Sequence, residues 1–379
     1  MIQPHLKISQ ETSIYAKMSQ ISAQYNALDM AQGVANFPVP EWLIDRLYYH
    51  AKSGKNAYSP IPGTPQLRTA TATKIQQAYN VKIDGLNQVL ITCGASEAIF
   101  ATIMAYTAPG DEVIFFDPAF DVYPESVKAA NGVSKRLQLL ANGHIDLNAI
   151  QKTISDKTKI ILLNSPHNPM GSIITKEEYQ ELARIIKGKD ILVLSDEVYE
   201  HMTAEDTFTS ALQIPELKKQ LVVFQSFGKT YNLTGWRMGA CIGPEQILKP
   251  IQSLKQNMSF SAPTPMQLSI ADGINNHPDF WQSQPKIYQE KYKLFTNNFN
   301  NPKLKVQNWE GSPFLILDYT EISQQNDLDF AMKLVQEHGI GLVPISSSYE
   351  KPQNQFLRLC FAKSDDQITR AVDVLNQIS

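Results

Sequence analysis

The chain has 379 residues, 43% hydrophobic and 19% charged, and its 34 Lys and Arg against 37 Asp and Glu leave a formal net charge of −3. These figures exclude general disorder, and the lack of any long single-sign block argues against a nucleic-acid partner. The length predicts two domains; no leader opens at Met1-Ile2-Gln3-Pro4 and no run reaches the roughly 18 apolar residues of a membrane span, so a cytoplasmic protein with no membrane contact is expected.

From residue 65 to 245 short apolar runs alternate with longer amphipathic stretches, which predicts βαβ units and a mostly parallel sheet. Strands are expected at 89–93, 113–116, 160–163, 191–194, 221–224 and 239–242, each apolar on both faces as if covered by helices. Past residue 280 an amphipathic stretch through Tyr288, Tyr292 and Phe295 leads to a strand at 314–317, a helix at 328–338 and a strand at 356–361. That pattern predicts a smaller α+β domain, which the first forty-odd residues join. The fold class is therefore α/β, with a large domain over 45–280 and a small one from 1–44 and 281–379. The Asn-rich stretch 297–301 reads as a surface turn, and Cys93, Cys241 and Cys360, without CxxC spacing, read as buried reduced thiols.

In an open parallel sheet the ligand lies beyond the carboxyl ends of the strands, so the residues after each run are the informative ones. The first run leads into Gly94-Ala95-Ser96, small residues opening a helix, which suit a phosphate or simply close packing. The second is followed by Phe120 and Tyr123, the third by a Pro-bracketed loop that presents Asn168, and the fourth ends in Asp196. A carboxylate at the end of an apolar strand is costly unless a cation meets it, so Asp196 is either a functional group or half of a structural ion pair. The fifth leads to Ser226-Phe227-Gly228-Lys229-Thr230 and then Gly235-Trp236-Arg237. Val223 stands where a P-loop needs glycine, which disfavours a nucleotide triphosphatase. What remains is a hydroxyl and a guanidinium for a phosphate with an amine between them. Arg358, amid apolar neighbours, makes sense if its fork receives a substrate carboxylate. The seven histidines show no HExxH spacing, so no metal is expected, and no GxGxxG supports nicotinamide or flavin.

Phe120-Asp121-x-Tyr123, Pro166-His167-Asn168-Pro169, residues 195–201, 226–230 with Thr234-Gly235-Trp236, and 358–363 occur in an order that resembles the fold-type I aminotransferases. The likeness covers nearly the whole chain and is strongest to the branch of kynurenine/glutamine transaminases and bacterial methionine aminotransferases. The resemblance implies pyridoxal 5′-phosphate as cofactor, held by Lys229 as a Schiff base. Asp196 would keep the ring nitrogen protonated, Tyr199 and Asn168 would hydrogen-bond the ring oxygen, and Phe120 would stack on the ring. Ala95, Ser96, Ser226 and Arg237 would hold the phosphate, and Tyr58 would reach the phosphate of a neighbouring subunit, implying a homodimer with shared sites. Arg358, Asn168 and the Gly33 backbone would bind the α-carboxylate, with Tyr15 and Phe260 as walls of the side-chain pocket. Lys229, Asp196 and Tyr199 are thus the catalytic candidates for moving an amino group from methionine, glutamine or an aromatic amino acid to a 2-oxo acid. A C–S β-lyase on the same scaffold and a non-catalytic homologue are the alternatives. The chain departs from the branch at Val34-Ala35-Asn36, near the substrate, and at Met170 before Gly171.

Overall fold

The computed structural model describes residues 12–33, 35–205 and 207–379; the first residues of the chain and Val34 lie outside them. Among the described residues thirteen strands occur: β1 Leu28–Asp29, β2 Val89–Thr92, β3 Glu112–Asp117, β4 Val133–Gln138, β5 Thr158–Asn164, β6 Leu192–Asp196, β7 Leu221–Ser226, β8 Gly239–Ile242, β9 Lys305–Val306, β10 Phe314–Asp318, β11 Ile340–Gly341, β12 Val343–Pro344 and β13 Phe356–Cys360. Seven of them form one sheet in the order β2-β8-β7-β6-β5-β3-β4. Within it β8 runs antiparallel to both neighbours and the other pairs are parallel.

Successive strand residues face opposite sides. Ile91, Ile114, Ile161, Val193 and Val223 join one apolar layer, and Leu90, Phe115, Leu162, Leu194 and Phe224 the other, so both faces are buried beneath helices. β4 was not expected: it lies at the edge of the sheet, its residues are half-buried or exposed, and Lys135 and Arg136 break its apolar pattern. Edge strands carry such charges because they face water. Its Arg136 donates 2.6 Å bonds to Asp117 and to the Ser348 carbonyl, tying the end of β3 to the later part of the chain.

A separate apolar cluster gathers Met18, Met30 and Ala31 with Tyr288, Phe295, Phe314, Leu334, Leu359 and Leu375, and takes in Tyr199 and Met202. Its sheet has the order β12-β13-β10-β9. The helix Asp327–His338 is capped by the Asn326 side chain and ended by Gly339 in the left-handed region. The Asn-rich stretch is not simply a surface turn. Asn297 and Asn298 complete the helix Gln284–Asn298, and buried Asn301 donates to the carbonyls of Leu375 and Ile378. Cys241 and Cys360 are buried, but Cys93 is only half-buried.

Behind the ends of β6 and β7, Glu200 is buried and receives Lys74 Nζ at 2.5 Å, Gln225 Nε2 at 2.6 Å and the Tyr79 hydroxyl. This network ties the turn that carries Tyr199 to β7. Glu200→Ala leaves the Lys74 ammonium buried without its partner, so urea unfolding should show a loss of about 3–5 kcal/mol.

Candidate active site

The ends of β2 and β8 bring backbone and guanidinium together. Gly94 has φ +83, and a Cβ there would lie 2.6 Å from an Arg237 terminal nitrogen, while a Cβ at Gly239 would lie 2.7 Å from the Ala95 nitrogen. Both positions are open only to glycine. Gly94 immediately precedes the helix Ala95–Tyr106, whose first N–H groups have no intrahelical partner. Arg237 itself has φ 53, a strained conformation for a residue with a side chain, at the end of the turn Thr234–Trp236. Ser226 caps the one-turn helix Phe227–Thr230, accepting from the Lys229 backbone N–H.

Asp196, at the end of β6, is 3% exposed. Its carboxylate accepts from the Tyr123 hydroxyl at 2.6 Å and the Val198 N–H at 3.4 Å, and among the described residues it forms no ion pair. The ion-pair reading therefore fails. Burial raises its carboxyl to about 6, against the lowering effect of those two bonds and of Lys229 nearby. Its charge thus opposes folding above about pH 6, and the opposition fades as pH falls through that value towards 3.8. Asp196→Asn keeps the acceptor for Tyr123 and deletes the charge. In the cofactor-free protein it should raise unfolding stability at pH 7.5 by up to about 3 kcal/mol, a gain that vanishes below about pH 4. Urea midpoints across that range test it.

Asn164 orders the neighbouring loop, donating to the Asp196 carbonyl at 2.9 Å and accepting from the Asn168 N–H at 2.8 Å. Tyr199 lies with its ring 5.3 Å from Lys229 Nζ, and burial pushes its hydroxyl up from the usual value. Lys229 Nζ donates to the Gly33 carbonyl at 2.8 Å. Desolvation lowers its ammonium to about 8; Cys360 and Asp196 oppose the shift, and Arg358 and Arg237 add to it. Arg358 is 3% exposed on β13, the strand between β12 and β10. It gives Nη1 to Asn168 Oδ1 at 3.1 Å and Nη2 to the Ala31 carbonyl at 2.8 Å, and its buried Nε has no partner.

One cavity of about 410 Å³ is lined by Lys229, Asp196, Tyr199, Asn168, Phe120, Ala95, Ser96, Ser226, Arg237, Arg358, Gly33 and Tyr15. Twelve of the fourteen residues singled out in the sequence therefore converge. Tyr58 and Phe260 do not line it. They pair edge-on, centroids 5.1 Å apart, on the surface, where Tyr58 is 83% exposed. Phe260 has φ 63, its carbonyl is held by Lys255 Nζ at 2.9 Å, and its ring lies against Tyr58. Tyr123, Asn164, Val198 and Phe314 also line the cavity and were not selected. Tyr123 was signalled by its place in the Phe120-Asp121-x-Tyr123 segment; Phe314 gave no sign beyond an apolar strand.

No cluster of three or more possible metal ligands occurs among the described residues, nor any helix long and apolar enough to cross a membrane. The profile of Aminotransferase class I and II matches residues 25–375. The methionine aminotransferase of Escherichia coli K12 is 35% identical over 99% of this chain and 98% of its own length. The kynurenine–oxoglutarate transaminase of Dictyostelium discoideum is 30% identical over 96% and 93%. The crystal structure of an Escherichia coli protein with methionine aminotransferase function superposes with a TM-score of 0.96 over 100% of both chains at 35% identity. That of the N-succinyldiaminopimelate aminotransferase of Mycobacterium tuberculosis gives 0.92 over 97% of each at 25%.

Proposed function

Because the chain belongs to the class I and II aminotransferases, we propose that it uses pyridoxal 5′-phosphate to move the amino group of methionine, glutamine or an aromatic amino acid such as kynurenine to a 2-oxo acid, in a ping-pong cycle. The observation that carries this reading is the convergence of Lys229, Asp196 and the carboxylate-free Arg358 on one cavity. The residues fit the cofactor: the cradle at Gly94 would be filled by any Cβ, and the buried Arg358 Nε is an orphan donor.

When bound, pyridoxal phosphate supplies an aldehyde that takes up amines and a cationic ring that draws electrons from the substrate Cα. The Ala95 and Ser96 N–H groups, the Ser226 hydroxyl and Arg237 would hold its phosphate, and Phe120 would cover its ring. Asp196 would hold the proton on the ring nitrogen, a role that would offset its burial. Tyr199 and Asn168 would donate to the ring oxygen. Lys229 would hold the cofactor and, when its amine is free, serve as the base and acid for the Cα proton. Arg358, with Asn168 and the Gly33 backbone, would orient the substrate carboxylate, and Tyr15 would wall the side-chain pocket. The cavity's cations, Lys229, Arg237 and Arg358, all have roles in this scheme, and no further Lys or Arg among the described residues lines it. That arrangement supports donors with neutral side chains over dicarboxylic ones.

The apolar clusters support a division into a large cofactor-binding domain, 45–280, and a small domain from 1–44 and 281–379. A homodimer with shared sites is supported by Tyr58. Its loop is pinned by Gln267 to Ser59 and Thr64 and by Lys255 to the Ile61 carbonyl, yet the ring stands exposed beside Phe260. Sedimentation should return twice the chain mass of 42.5 kDa, and Tyr58→Ala should weaken cofactor retention. Three free cysteines support a reducing, cytoplasmic setting.

The test of function is the visible spectrum of the purified protein with cofactor. L-methionine alone should abolish the absorption band and a 2-oxo acid should restore it. A band that persists while a cysteine conjugate yields pyruvate and ammonia favours the C–S β-lyase; no band after adding pyridoxal phosphate refutes the cofactor assignment.

A further inference from the structure

Phe314, at the start of β10 and 1% exposed, is where three parts of the site meet. Its ring lies 4.0 Å from the Arg358 guanidinium carbon, with the Tyr15 ring 4.4 Å from the same atom. It also stands edge-on to Tyr199 at a centroid distance of 5.7 Å, and a Cβ at Gly33 would lie 2.8 Å from its tip. A buried guanidinium costs free energy unless something compensates its charge. The usual compensation, a carboxylate, would consume the charge that a substrate carboxylate needs. Among the described residues no acidic side chain bonds to Arg358: Asp121 feels its charge without pairing with it, and the acceptors are the neutral oxygens of Asn168 and Ala31. The aromatic face supplies the remainder, attracting the cation through the ring quadrupole without occupying a donor.

We propose that Phe314 is a positioning residue that keeps the Arg358 guanidinium oriented and without a carboxylate bound to it, so that affinity for the donor's α-carboxylate depends on the ring at this position. The inference rests on the reading that Arg358 receives that carboxylate. It also assigns a reason to Gly33: any side chain there would displace the ring.

The experiment compares the holoenzyme with Phe314→Leu, with 3,5-difluorophenylalanine incorporated at position 314, and with the charge-free Arg358→Gln. The fluorinated residue keeps the ring and the hydrogen at Cζ and weakens the ring's negative face; any steric effect of the fluorine at Cε1 beside Gly33 would weaken both inhibitors alike. Each protein is measured for KM and kcat with L-methionine, and for inhibition by 4-(methylthio)butanoate and by the matching alcohol. Phe314→Leu should raise KM about tenfold, equivalent to about 1.4 kcal/mol, with kcat within about twofold. It should weaken the carboxylate inhibitor by the same factor and the alcohol hardly at all, and the fluorinated protein should fall between. Equal weakening of both inhibitors, a loss confined to kcat, or a fluorinated protein with unchanged carboxylate affinity would overturn the proposal; the last reading holds even if Phe314→Leu fails to fold. If Arg358→Gln abolishes the preference for carboxylate over alcohol and the changes at 314 do not, only the role of Phe314 falls. If the neutral Arg358→Gln leaves that preference intact, the carboxylate reading of Arg358 falls with it.

Discussion

Lys229→Ala is expected to stop amino-group exchange while leaving a folded protein that still takes up pyridoxal phosphate. The side chain leaves a one-turn helix directly after β7, and among the described residues its Nζ bonds the Gly33 carbonyl and no carboxylate, so removing it breaks no ion pair there. The cradle at Ala95, Ser226 and Arg237 is untouched, and phosphate binding should persist. What disappears is the amine whose ammonium desolvation has lowered to about 8, so that a useful fraction is neutral near physiological pH. Loss of a positioned general acid and base alone reduces turnover by roughly 10²–10⁴-fold, and loss of the covalent hold adds to that. The measurements are turnover with L-methionine and a 2-oxo acid, and the absorption band of the lysine-held cofactor, which should be missing. Undiminished transamination in this variant would refute the assignment of Lys229.

The large sheet was legible because its buried strands are apolar on both faces, a pattern that needs no tertiary information. β4 escaped because an edge strand is defined by what lies beside it, and Lys135 and Arg136 look like loop residues until β3 is placed next to them. The site was legible where chemistry forces an unusual residue into a strand end or an apolar run, as at Asp196, Lys229 and Arg358. Phe314 and Val198 were not legible, since an apolar residue lining a cavity and one filling a core read alike in sequence. Asn164 sits at the end of a strand expected to stop at 163, and its value lies in two hydrogen bonds between loops that local sequence does not encode. Phe260 has a left-handed backbone, a carbonyl held by Lys255 and a ring against Tyr58, so its place beside that surface tyrosine rests on contacts that local sequence does not encode.

Arg358→Ala should separate substrate binding from cofactor binding. The guanidinium is held by Asn168, Ala31, Tyr15 and Phe314; of these only Asn168 is also assigned to the cofactor, at its ring oxygen, and none is a phosphate contact, so affinity for pyridoxal phosphate should change far less than KM. The substrate carboxylate would lose a buried, charge-assisted pair, and truncating one partner of such a pair costs about 2–5 kcal/mol. At 1.4 kcal/mol per tenfold, KM for the amino donor should rise roughly 30- to 4,000-fold. The effect should exceed that of Phe314→Leu, because the ring only holds the group that makes the bond. Turnover at saturating donor should fall less than kcat/KM, since the interaction forms in the ground state and persists in the transition state. Removing a cation near Lys229 should also raise the lysine's pKa somewhat, because Arg358 is one of the groups that lower it. The alkaline-going limb of the pH profile should therefore move upward in the same variant. Steady-state kinetics and a cofactor titration decide the matter together: if pyridoxal phosphate dissociates while KM stays unchanged, Arg358 belongs to the cofactor site and its placement against the substrate is wrong.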